Sequence, residues 1–378
     1  MHSFMIYLGT IKETKHKENR VALSPEVTAD LVKKGFGIRI EAGAGILAGY
    51  SDAQYQMSGA ELCSAEAVLS QSDILLQVNA PAEALILKMK AQSVLIAFMY
   101  ASTHPELIAA CKSAGISAFS MDAIPRISRA QKMDALSSQA NLAGYKAVLL
   151  ATEHLGKIFP MMTTAAGTIK PSKVVIFGAG VAGLQAIATA KRLGAIVEVS
   201  DIRLETKEQV ESLGAKFIEV KQDASVKTEG GYVKELSADF LKRQQELVTK
   251  HVQEADVVIT TALIPGKKAP LLVTEAMLDG MRAGSVIVDM AVEQGGNVFG
   301  SRLNETYQYK GITIVGESNL PALLPLNASA LYAKNIATLL LHLAGPEGLR
   351  WEREEEITKG SLMVYNGQPV HPTLLNSN

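Results

Sequence analysis

The stretch Lys173–Asp201, KVVIFGAGVAGLQAIATAKRLGAIVEVSD, decides the fold. An apolar, β-branched run leads directly into Gly178, Gly180 and Gly183 at GxGxxG spacing; an alanine-rich segment closed by Gly194 follows, and then a second apolar run ends at Asp201. That order predicts the strand, tight turn, helix and strand of a dinucleotide-binding βαβ unit. Gly178 permits the turn, Gly180 lets backbone approach a pyrophosphate, and Gly183 brings helix onto strand. The helix opens at Val181, where unpaired N–H groups and a partial positive charge suit phosphate oxygens. Asp201 can accept hydrogen bonds from both ribose hydroxyls, and its charge repels a 2′-phosphate, so NAD(H) is favoured over NADP(H). Arg203, two residues on, pulls the other way. A second glycine group, Gly43, Gly45 and Gly49, has GxGxxxG spacing with no apolar helix behind it and reads as a turn.

Working outward, further apolar runs KFIEV, DVVIT, SVIVDM and ITIVG complete a set of six strands in this half. Upstream, MIYLG, IRIEA, DILLQV, SVLIAF and ISAFS alternate with helical segments, including one from SPEV with Ser24 as N-cap and Pro25 at the first helical position. Alternation of this kind predicts an α/β chain with parallel sheets. We expect two Rossmann-like, doubly wound domains with a cleft between them. The first covers residues 1–140 and is completed by 320–378, because the late apolar helix ALYAKNIATLLLHLAG has no strand after it; the dinucleotide-binding domain is 141–319. FPMMTTAAGTIKPS reads as a chain-breaking loop, with Met161 and Met162 as packing residues, and Asn366-Gly367 as a hairpin turn.

Bulk composition narrows the function. The chain of 378 residues carries 37 Lys and Arg against 38 Asp and Glu with no block of one sign, so nucleic acid has no electrostatic footprint here. Cys63 and Cys111 belong to no metal-ligand or disulfide pattern, which fits a cytoplasmic setting. The start lacks the apolar core of a signal peptide, and the longest late apolar run is about half of the roughly 20 residues that span a bilayer. His104, His154, His251 and His371 have no second ligand at metal spacing and read as surface residues, so no metal is expected.

PRISRAQKMDALSSQANLAGYKAV, Pro125–Val148, gathers Arg126, Arg129, Gln131, Asp134 and Ser137 without a histidine or cysteine. Such a set can orient a polar ligand but offers no proton shuttle and no nucleophile. Ser128 and Gln131 also have the form of a capping box for a long helix from about Arg129, and the apolar spacing behind them fits one buried helix face.

That stretch, together with KENRVALSPE, FGAGVAGLQAIATAKRLGA, TKEQVESLGAKF, EGGYVKE and TTALIPGKKAP, resembles the NAD(H)-binding domain of the proton-translocating nicotinamide nucleotide transhydrogenases, in order and over essentially the whole chain. The resemblance implies that Arg126 meets the nicotinamide carboxamide and pairs with Asp134. It implies that Gln131 reaches towards a second nucleotide and that Ser137 is another hydrogen bonder on the nicotinamide side. Gly230–Tyr232, with Gly231 and Tyr232, matches a mobile flap, Gln244 a position beside the nucleotide, and Ala262 and Leu263 a source of backbone contacts. Direct hydride passage between two nicotinamide C4 atoms moves no proton at the reacting carbons, which would account for the missing acid and base. What it needs is two rings about 3–3.5 Å apart. The resemblance further implies an NADP(H)-binding partner domain, a membrane-embedded proton-channel subunit, a homodimer, and peripheral attachment to the inner face of the plasma membrane through those partners.

Two rivals remain. An alanine dehydrogenase uses the same nucleotide fold, but in the related dehydrogenases a lysine and a histidine grip the substrate where this chain has Asn79 and Tyr100; only Arg20 is kept, and Asp289 is a weak candidate for approaching substrate. A non-catalytic NAD-binding module would have no use for Gln131.

Overall fold

The computed structural model describes residues 5–220, 238–263, 267–345, 348–349 and 351–375. In chain order the strands of the main sheets are β1 (Tyr7–Thr10), β2 (Gly37–Glu41), β3 (Glu61–Cys63), β4 (Ile74–Asn79), β5 (Val94–Phe98), β6 (Ser117–Ser120), β7 (Lys173–Phe177), β8 (Ile196–Ser200), β9 (Lys216–Phe217), β10 (Val257–Thr260), β11 (Val286–Asp289), β12 (Thr306–Tyr309), β13 (Ile312–Val315), β14 (Leu362–Tyr365) and β15 (Gln368–Pro369). The helices used below are α1 (Pro25–Lys33), α2 (Ala135–His154), α3 (Val181–Arg192), α4 (Ala238–Gln253) and α5 (Pro325–Leu343). The chain divides into two compact units, one of residues 1–139 with 321–378 and one of residues 140–320.

The first unit is built on an eight-stranded sheet in the order β15-β14-β6-β5-β4-β1-β2-β3. The six strands from β6 to β3 are parallel, and β14 and β15 add antiparallel at one edge. Reading β3-β2-β1-β4-β5-β6, this is the doubly wound order, whose switch point lies between β1 and β4. β4 shows why the sheet must be covered on both faces: Ile74, Leu76 and Val78 enter one apolar cluster and Leu75 another. The first of these clusters holds Tyr332, Ile336 and Leu340 of α5, together with Ala130, Met133 and Ala135. Ser24 caps α1 through its hydroxyl and the Val27 N–H, as its position before Pro25 predicts. Asn366 (φ 45°) and Gly367 (φ 76°) form the tight turn between β14 and β15.

Two features of this unit depart from the sequence reading. Glu61–Cys63, within a segment expected to be helical, pairs with β2 as an edge strand; three residues are too few to show a period. The expected helix from about Arg129 is interrupted: Ser128–Met133 is a 3₁₀ helix, Asp134 has φ −72° and ψ 84°, and α2 starts only at Ala135.

The second unit carries a seven-stranded sheet in the order β9-β8-β7-β10-β11-β13-β12, parallel except for β12. Its core gathers Val175, Val258, Ile287 and Ile314 with Val248 and Val252 of α4. β12 is a strand beyond the expected set; its TYQY alternates exposed and half-buried residues at the sheet edge, and Lys310 and Gly311 make its hairpin turn to β13. The stretch read as a chain-breaking loop contains a small hairpin, Met162–Thr164 with Gly167–Ile169, and lies inside this unit. Met161 and Met162 are exposed there, so they are not packing residues.

Candidate functional site

The glycine-rich turn of the second unit leaves β7 at Gly178 (φ 97°), which only glycine adopts without strain. A Cβ on Gly183 would lie 1.8 Å from the Gly178 carbonyl oxygen, so the close approach of α3 to the turn requires glycine at both positions. Around Gly180 nothing lies within 4 Å of where a Cβ would stand, and no side chain caps α3 there. The N–H groups of the first turn of α3, beginning with half-exposed Val181, therefore face open space that suits an anionic group. Behind the turn, Gly144 of α2 sits so tightly that its Cβ would meet the Ala182 carbonyl oxygen at 2.1 Å.

Asp201 directly follows β8, with its side chain nearly buried. Its Oδ2 accepts from the Ala179 N–H at 2.6 Å and from Arg203 Nη2 at 2.9 Å, and its Oδ1 accepts from the Arg203 N–H at 2.8 Å and Nε at 3.1 Å. Burial opposes ionisation, but the Arg203 guanidinium and the two backbone donors outweigh it and hold the carboxyl below the usual range. Arg203 thus neutralises Asp201 in this state rather than standing apart from it. For a ribose to use Asp201, the guanidinium must release at least one oxygen.

Gln244 on α4 is committed locally: its Oε1 accepts from the Val220 N–H at 3.0 Å and its Nε2 donates to the Ile218 carbonyl at 3.1 Å. The Ala262 N–H and carbonyl are both held by the side chain of Asn297, at 3.1 and 3.0 Å, while Leu263 is exposed. Asn297 is in turn fixed by Asp289, a residue considered above for substrate contact. Asp289 is fully buried and accepts from Thr260 Oγ1 and from the N–H groups of Ala291, Asn297 and Val298, so it is a structural anchor. Sequence reasoning missed Asn297, although the adjacent Gly295 and Gly296, both with positive φ, mark the sharp return that brings it there. Gly231 and Tyr232 lie outside the described residues.

In the first unit, the polar stretch is assembled differently from the expectation. Asp134 caps α2: its Oδ1 accepts from the Ser137 N–H at 2.9 Å and its Oδ2 from Ser137 Oγ at 2.6 Å. No side-chain cap joins Ser128 and Gln131, because the segment between them is 3₁₀ and its N-cap is Ile127. Arg126 and Gln131 are exposed. Among the described residues no ion pair joins Arg126 to Asp134, whose carboxylate is already used within the helix turn. Arg129 pairs with Glu355 at 2.7 Å and Glu356 at 3.3 Å and is structural. Asp134 and Ser137 therefore form the capped start of α2, and Gln131 lies on the 3₁₀ turn just before it.

A buried polar cluster lies at the switch point of the same unit. Glu18 takes Arg20 Nε at 2.7 Å and Nη2 at 2.6 Å, and Arg20 Nη1 donates to Gln139 Oε1 at 2.9 Å. Asn79 Nδ2 donates to both Glu13 Oε2 and Glu18 Oε2. Burial, and then the charge of Glu18, push the Glu13 carboxyl up to about 7 against the hydrogen bonds it accepts from Val78 and Asn79. Only Arg20 and Asn79 of this cluster were singled out from sequence.

Among the histidines, His251 is half-buried and sits 2.6 Å from Glu198, which also pairs with Lys173. No group of three or more potential metal ligands occurs among the described residues, and no helix there is long and apolar enough to cross a membrane.

The family model described as alanine dehydrogenase/PNT, N-terminal domain, matches residues 9–143, and that described as alanine dehydrogenase/PNT, C-terminal domain, matches residues 147–372. The chain is 46% identical over 373 residues to an NAD(P) transhydrogenase subunit alpha protein of Rhodospirillum rubrum, covering 96% of this chain and 97% of that protein. The crystal structure of transhydrogenase from Sinorhizobium meliloti is similar with a TM-score of 0.89 at 42% identity, covering 96% of this chain and 100% of that one. An L-alanine dehydrogenase structure is similar with a TM-score of 0.79 at 30% identity, over 98% of each chain.

Proposed function

Since this chain belongs to the alanine dehydrogenase/PNT family, we propose that it is the NAD(H)-binding component of a proton-translocating transhydrogenase, passing hydride between NADH and NADP⁺ held on a partner domain. The single observation that carries this reading is the helix start at Asp134, whose carboxylate is engaged by Ser137 while Gln131 stands exposed on the 3₁₀ turn before it, in a stretch without histidine or cysteine. Arg126, Gln131, Asp134 and Ser137 orient the nicotinamide; Gly178, Gly180, Val181 and Gly183 receive the pyrophosphate. Asp201, with Arg203, selects the unphosphorylated ribose, and Gln244, Ala262, Leu263, Gly231 and Tyr232 complete the nucleotide contacts. NAD(H) supplies the hydride chemistry itself. The proposed partners are the NADP(H)-binding domain and a membrane-embedded proton channel, with the chain itself a homodimer on the cytoplasmic side.

An alanine dehydrogenase activity is disfavoured by the groups at its would-be substrate positions. Asn79 is bound to Glu13 and Glu18, and Arg20 to Glu18 and Gln139, so neither stands ready for a carboxylate.

The test mixes the chain with an isolated NADP(H)-binding domain and follows transfer from NADH to an NADP analogue, with alanine plus NAD alongside. Transfer without alanine oxidation is expected; alanine oxidation without transfer reverses the assignment. Gln131→Asn should leave NADH affinity within about twofold and cut transfer at least tenfold, because positioning accounts for much of such a rate. An equal loss in both quantities removes Gln131 from its role.

A further inference from the structure

The cluster at the switch point of the first unit has more polar groups than a packed core needs. Glu18 and Arg20 are nearly buried, as are Gln139 and Ser329. A buried ion pair of this kind adds little stability over an apolar replacement, because desolvating two charges offsets their attraction. A fully satisfied polar network instead fixes one geometry. Here it runs without a break into the helix start that carries Asp134 and Ser137. Arg20 holds Gln139 Oε1, and Gln139 Nε2 donates to the Ala328 carbonyl on α5 at 3.1 Å. Next to it, Ser138 Oγ donates to Asn335 Oδ1 at 2.7 Å, and Asn335 Nδ2 donates to the Lys132 carbonyl at 2.9 Å. The Val21 N–H, one residue after Arg20, donates to Ser329 Oγ.

We propose that Glu18, Arg20 and Gln139 are positioning residues for hydride transfer, tying the first turn of α2 to the strand ends at the switch point, and that the protonation of Glu13 sets how firmly they hold it. This rests on the transhydrogenase reading above. Glu13 lies on the wall of a cavity of about 340 Å³ formed by residues after β1, β4 and β5, which gives it a route to protons. The titratable and charged groups around it come from several elements: Glu18 and Arg20 from its own loop, Lys12 and Lys15 beside it on the cavity wall, Tyr100 and His104 after β5 on the same wall, and Tyr332 from α5, on which Asp122 also acts. Neutral Glu13 leaves one carboxylate, Glu18, opposite one guanidinium, Arg20. Ionised Glu13 adds a second carboxylate that draws on the same Asn79 amide and a second negative charge acting on Arg20. The hold is thus firmest below about pH 7 and slackens above it.

The experiment uses the full chain with the NADP(H)-binding domain and expresses transfer per titrated NADH site, so partial unfolding does not mimic an effect. Gln139→Met should lower transfer per site about tenfold with NADH affinity within twofold. In the wild type, transfer should fall from pH 6 to pH 8, and Glu13→Gln should keep the pH 6 rate across that range. Wild-type transfer per site in Gln139→Met, or an unaltered pH profile in Glu13→Gln, overturns the proposal. A wild type that transfers no hydride at all is a failure of the functional reading, and hydrogen exchange then decides separately whether Gln139 ties down the start of α2. Amides of residues 135–139 should exchange faster in Gln139→Met than in the wild type, and equal exchange overturns it.

Discussion

On the proposed reading Asp201 carries the choice between NAD(H) and NADP(H), and its surroundings sharpen what a substitution should do. Its carboxylate is ionised and shared between Arg203 and the Ala179 backbone, so it both repels a 2′-phosphate and keeps Arg203 from welcoming one. Asp201→Ala removes the repulsion and frees the guanidinium at the same time. NADH binding should weaken about tenfold or more, in line with about 1.5–3 kcal/mol for a charged hydrogen bond, while NADPH binding strengthens. Fluorescence titration of both nucleotides checks this, and an unchanged ratio of affinities would remove Asp201 from specificity. Glu13 makes a second prediction at this scale. Its carboxyl is raised from 4.5 to about 7 in the folded chain, so the fold binds that proton more tightly than the unfolded chain does. That contribution is fully present below about pH 4.5 and is lost as pH rises through 7. Glu13→Gln should therefore flatten the decline of melting temperature between pH 5 and pH 8; a slope equal to the wild type's would mean that Glu13 does not titrate there.

The elements of the glycine-rich turn were legible in the sequence because the glycine spacing is tied to backbone geometry, and geometry of that kind leaves few alternatives. The start of α2 was not, since Ser128 and Gln131 satisfy a capping pattern that competes with the true cap, Asp134, a few residues on. The buried cluster around Glu18 was also hidden, because a pair two residues apart is unremarkable until the loop closes over it. Tertiary structure likewise supplies the edge strands Glu61–Cys63 and Thr306–Tyr309, whose pairing partners make them strands. Glycines that look alike in sequence separate by what surrounds them. Gly180→Ala meets nothing within 4 Å, at φ −78°, and should leave the melting temperature essentially unchanged while weakening NADH binding. Gly144→Ala drives a methyl to 2.1 Å from the Ala182 carbonyl and should destabilise the chain by about 1–3 kcal/mol or more. Thermal melts paired with NADH titrations distinguish the two, and a stable Gly144→Ala protein would show that α2 and α3 can part at little cost.

At the level of the whole molecule, the proposed labour is divided between two sets of residues: Gly178, Gly180, Gly183 and Asp201 are assigned the ADP-ribose half of the nucleotide, and Arg126 to Ser137 the nicotinamide. A ligand that binds only the folded state stabilises it by RT ln(1 + [L]/Kd), about 2.7 kcal/mol at a hundredfold excess over Kd. NADH and ADP-ribose share every contact assigned to Gly178, Gly180, Gly183 and Asp201, so the additional stabilisation by NADH measures the nicotinamide half alone. Arg126 is exposed and, among the described residues, unpaired with Asp134, so removing it should cost the fold little. Arg126→Ala should keep the melting shift produced by ADP-ribose and lose most of the extra shift produced by NADH. Were the two nucleotides to keep their separation in that variant, the nicotinamide would be held elsewhere, and the polar stretch from Arg126 to Ser137 would lose its claim to the reaction.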